Sequence, residues 1–78
     1  MNNYQRMVKD LVKPGEDILA TLTSERAHLL HMAIGLAGEA GELLEHYCSD
    51  EPTSDSSVIE ELGDGEFYLE GICQAMHV

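Results

Sequence analysis

The chain has 78 residues, 44% of them hydrophobic, which suits one small domain near the lower limit at which a single core holds a fold unaided. Its 4 Lys and Arg stand against 15 Asp and Glu, a formal charge of -11, so it repels nucleic acid and anionic lipid surfaces and attracts cations or basic partners. No apolar run reaches the length of about eighteen residues that a membrane span needs, and the ordinary hydrophobic content argues against disorder.

Residues 2–13 place Tyr4, Met7 or Val8, and Leu11 or Val12 at helical spacing, and Pro14-Gly15 stops that pattern. A short connection follows, carrying Ile18, Leu19 and Leu22. A second helix is expected to start after Thr23 or Ser24, both good N-caps, with Glu25 favourable in its first turn. It runs to about Cys48, a length of roughly 37 Å at 1.5 Å per residue. The acid- and serine-rich stretch SDEPTSDSS, residues 49–57, reads as a loop. Ser57 with Glu60 three residues on forms a capping-box pattern that opens a third helix ending near His77. No repeat and no strand pattern is present. The expected fold is all-α: one domain over residues 1–78, an antiparallel bundle of about three helices completed by oligomerisation. Cys48 and Cys73, with no secretory signal, are expected as reduced, buried thiols in a cytoplasmic protein.

Winding the second helix at 100° per residue gives an apolar stripe of Leu29, Met32, Ala33, Leu36, Ala40, Leu43 and Leu44. A narrower polar line carries His28, His31, Gly35, Glu39, Glu42 and His46. On the third helix Val58, Leu62, Leu69, Ile72 and Met76 form the core stripe, with Glu61, Asp64 and Tyr68 along its edge. Glu39 and Glu42 are i and i+3, as are Glu61 and Asp64, so each pair can converge on one point. Antiparallel packing of the two stripes brings both pairs toward one seam. Two like charges 4 Å apart cost about 1 kcal/mol in water and about 4 kcal/mol at an effective dielectric of 20, so four carboxylates there bind protons or a hard cation. Oxygen-only donors favour Mg²⁺, Mn²⁺ or Ca²⁺ over zinc. For a single ExxE on an acidic helix the plainer account is a solvated face, and spacing alone does not decide between them.

The stretch LLHMAIGLAGEAGELLE followed by VIEELGDGEFYLEGI resembles the MazG-like, all-α nucleoside triphosphate pyrophosphohydrolases. The likeness covers about residues 26–73. It rests on Glu39-Ala40-Gly41-Glu42 and Glu61-Leu62-Gly63-Asp64, flanked by His31, Gly35 and Leu36 before the first pair and Phe67-Tyr68-Leu69 after the second. The resemblance implies Mg²⁺-dependent cleavage of a nucleoside triphosphate between its α- and β-phosphates, giving the monophosphate and pyrophosphate, with Mn²⁺ as a substitute metal. It implies Glu39, Glu42, Glu61 and Asp64 as metal ligands, with Glu42 favoured as the base toward the attacking water. His31 and Tyr68 are candidates for contact with the nucleotide, although a helix-packing tyrosine is the commoner case. Gly38 and Gly41 are candidates for close approach by a ligand or another backbone.

Members of that family usually continue into a fourth helix with an Asn and basic residues that hold the nucleotide, whereas this sequence stops at His77-Val78. A basic residue shortly after the ExxE pair is also missing. Two completions are open: a neighbouring subunit in a homodimer or homotetramer, or Arg6, Lys9 and Lys13, which share one face of the first helix and could meet the phosphates. The rival class is an acidic helical interaction protein without catalysis, which engages a basic partner through its charge.

Overall fold

The computed structural model describes residues 1–50 and 54–78 and builds them from four helices: α1 (Asn3–Leu11), α2 (Gly15–Thr21), α3 (Ser24–Cys48) and α4 (Asp55–Met76). No strand occurs among the described residues, and the fold is all-α.

Local chemistry accounts for each boundary. The Asn2 side chain accepts from the Gln5 N–H at 2.8 Å while the Gln5 side chain accepts from the Asn2 N–H at 2.9 Å, a capping box that starts α1. Pro14 ends the reach of α1 as expected, yet it also begins another element. Its φ of -59° sets it at the N-cap of α2, where Glu16 and Asp17 complement the helix dipole. The expected plain connection is therefore a fourth, short helix. Thr23 caps α3 by accepting from the Arg26 N–H at 3.2 Å. α4 starts ahead of the expected Ser57, because the Ser54 hydroxyl accepts from the Ser57 N–H at 3.2 Å and donates to Ser57 Oγ at 2.8 Å. Ser57 thus lies inside the helix and its pattern with Glu60 is not the cap; part of the expected 49–57 loop, residues 51–53, lies outside the described residues. His77, at φ 59°, closes α4 in the left-handed conformation, and the N–H groups of His77 and Val78 return to the Gln74 and Cys73 carbonyls at 3.2 and 2.9 Å.

Among the described residues, α3 and α4 are the one pair of helices in contact. They run antiparallel, since Met32 meets Gly71, Gly35 meets Tyr68, Glu39 approaches Gly65, and His46 meets Glu61. The half-buried residues show the register. On α3 they include 29, 32, 36, 39, 43 and 46, and on α4 58, 61, 65, 68, 72 and 75. Both series alternate steps of three and four, the seam of a two-stranded coiled coil. Gly35 is required there, because a Cβ on it would sit within the Tyr68 ring.

The pair has no interior. None of the described residues is buried, and α1 and α2 touch neither α3 nor α4, so within one chain only the α3–α4 pair of the expected bundle is formed. Leu62, Leu69 and Met76, expected in the core, stay 51%, 51% and 56% exposed, because a single partner helix covers only one side of α4. Cys48 is likewise exposed and Cys73 half-buried, with no bond between them. The molecule extends 49 × 38 × 14 Å, its least dimension close to one helix diameter. Its radius of gyration is 18.2 Å, where a compact chain of this length has about 11.5 Å.

Candidate functional site

The seam decides where the acids fall. Glu39 and Glu61 occupy half-buried coiled-coil positions normally held by apolar residues, one on each helix. Glu42 and Asp64, three residues further along their own helices, are exposed beside them. The other three bear on Glu39: its carboxyl is pushed above its ordinary value of 4.5, first by burial and then by the neighbouring charges of Glu42, Asp64 and Glu61.

Two carboxylate oxygens, Glu39 Oε2 and Glu61 Oε2, are shut off from solvent without an aligned hydrogen-bond donor. Glu61 Oε2 does lie 2.9 Å from His46 Nε2, an ion-pair contact that lacks hydrogen-bond geometry. The His46 contact was not anticipated as a pairing; its signal was the step of seven from Glu39, which keeps His46 on the seam. On one side of the layer a groove of about 240 Å³ is lined by Leu36, Leu43, Leu62 and Leu69 together with Glu39 and Glu61.

Compared with protein-family models, with curated proteins and with solved structures, the chain matches none.

The donor chemistry fits a hard divalent cation. Every candidate ligand is a carboxylate, Glu39 Oε2 lacks a donor, and the repulsion that adds to burial in raising Glu39 is what a cation between the four would relieve. As the side chains stand, no three His, Cys, Asp or Glu among the described residues are gathered tightly enough to share an ion. Closure onto one would therefore involve rotation of the exposed Glu42 and Asp64.

The remaining candidates are scattered. Tyr68 is half-buried, packed on Gly35 and edge-on to Phe67 with ring centroids 5.4 Å apart, so its ring is occupied by helix packing. His31 is exposed on α3. Arg6 and Lys9 lie on α1 and Lys13 just beyond it, and since α1 does not contact α3 or α4, this chain does not bring its own three cations to its own acids. Among the described residues nothing comes within 4 Å of a Cβ built on Gly38 or Gly41.

Proposed function

We propose that the chain is a MazG-like, Mg²⁺-dependent nucleoside triphosphate pyrophosphohydrolase that acts in the cytoplasm as a homodimer or homotetramer. The observation that carries this reading is the approach of two i, i+3 acid pairs from antiparallel helices, with a solvent-shielded oxygen of Glu39 that has no donor and Glu61 on the facing helix beside His46. Glu39 and Glu61 would hold the ion from the seam, and Glu42 and Asp64 from its exposed edge. The chemistry supplied by a bound Mg²⁺ is a more acidic water and neutralisation of phosphate charge. Glu42, which is exposed beside Glu39, would be the residue to take a proton from a water attacking the α-phosphorus. Gathered carboxylates also repel a bare triphosphate, so substrate is expected to arrive with its metal.

Pyrophosphate release from a panel of NTPs and dNTPs, with and without Mg²⁺ or Mn²⁺, tests the proposal. Glu42→Gln and Asp64→Asn are each expected to reduce turnover at least about a hundredfold, the scale of losing a general base or an electrostatic stabiliser, with helical content unchanged. Turnover retained by both variants would refute the assignment. One observation favours the second reading, an acidic interaction protein: no Lys or Arg of the chain is brought to the acids. Calorimetric titration separates the two. Mg²⁺ binding lost in Glu39→Gln supports the hydrolase, whereas salt-sensitive binding of a basic protein with no Mg²⁺ heat supports the rival.

A further inference from the structure

The first thirteen residues differ in kind from the rest. They hold Arg6, Lys9 and Lys13 against the single acid Asp10, a net charge of +2, whereas residues 14–78 set Arg26 against fourteen acids, a net charge of -13. α1 is also strongly one-sided. Tyr4, Met7, Val8 and Leu11 form its apolar stripe, all exposed, and Arg6 and Lys9 lie on the opposite face. At nine residues α1 is shorter than the roughly 12–15 at which an isolated helix becomes even marginal in water. Its capping box fixes where it starts, and packing of the stripe must supply the rest.

The surface that lacks cover is the α3–α4 layer. The chain exposes 6537 Å², about 1,800 Å² more than the roughly 4,700 Å² expected of a folded monomer of its mass. Doubled over two copies, that excess falls within the 2,000–5,000 Å² range of obligate homodimer interfaces. The groove of Leu36, Leu43, Leu62 and Leu69 offers an apolar trough for one helix stripe. Charge selects which element fills it. Residues 24–78, which carry the α3–α4 layer, have a net charge of -11, so pairing two copies layer against layer sets -11 against -11, while residues 1–13 against the layer sets +2 against -11.

We propose that the N-terminal arm, residues 1–13, docks across a second copy of the chain, seating the Tyr4–Met7–Leu11 stripe of α1 in the partner copy's α3–α4 groove. The exchange is reciprocal, so two copies close on a two-fold axis and no arm or groove is left open. It does not depend on what the acids catalyse.

Two full-length variants test this, each altered only at exposed positions. Met7→Asp with Leu11→Asp disables the arm; Leu62→Asp with Leu69→Asp disables the groove. By sedimentation the unaltered chain is expected to be a dimer and each variant a monomer, with helical content kept. Mixed in equal amounts, the two variants are expected to form a heterodimer, because one intact arm still meets one intact groove. A mixture that stays monomeric, as an arm folded onto its own groove requires, would overturn the proposal. So would a dimer that survives the arm changes but not the groove changes, which means layers pairing directly; that result leaves the assembly of the proposed hydrolase standing. Sedimentation of the unaltered chain with anionic vesicles, lost in the arm variant while no dimer forms, would assign the stripe to a membrane surface and likewise overturn it.

Discussion

Glu39 is the residue on which the site's electrostatics turn. Its carboxyl titrates above its ordinary value because burial and three neighbouring acids disfavour its charge. The folded chain therefore holds that proton more tightly than the unfolded chain does. Stability from this source is complete below pH 4.5 and is lost as pH rises through the folded-state titration above it. Without divalent ions, the helix pair is thus expected to melt at lower temperature at pH 7 than just above pH 4. In Glu39→Gln that decline should shrink, and the variant should melt above the unaltered chain at pH 7, as followed by circular dichroism. A decline of equal size in the variant would mean that the destabilising charge lies elsewhere.

Between the helices, the glycines separate into two kinds. Gly35 gives Tyr68 room that a methyl group would take, whereas Gly41 faces open space within the chain. Gly35→Ala is expected to destabilise by about 1–3 kcal/mol through overpacking, more than the gain in helix propensity returns. Gly41→Ala should instead stabilise by about 0.5–1 kcal/mol in thermal or urea unfolding. The same seam shows what the sequence could convey. α3 was legible from Thr23 to Cys48, because its N-cap and long apolar periodicity agree. The i, i+3 spacing also made it legible that Glu39 would share a face with Glu42, and Glu61 with Asp64. Which edge of the apolar stripe becomes the seam was not legible, since Ala33, Ala40 and Leu44 fit an interior as well as Leu29 and Leu36 do. The seam chose the edge holding Glu39 and His46, and left Leu44 63% exposed. α2 was missed because a proline that halts one helix has the φ to begin another.

The whole molecule is one helix thick, and that bears on every measurement of its stability. With no buried residue among those described, the chain has little to hold it as a monomer, so its melting temperature is expected to rise with protein concentration. A melting temperature constant over a hundredfold range of concentration would contradict this. Magnesium should add its own increment, about 2.7 kcal/mol at a concentration one hundred times its dissociation constant, and Glu61→Gln should abolish it.

The groove proposed to take the arm is lined by Glu39 and Glu61, the two half-buried acids of the seam. Closing it with protein would remove the water that remains near these two carboxyls and strengthen every charge interaction they make. Ion capture and subunit association are then thermodynamically reciprocal: whatever factor one contributes to the other's equilibrium is returned undiminished.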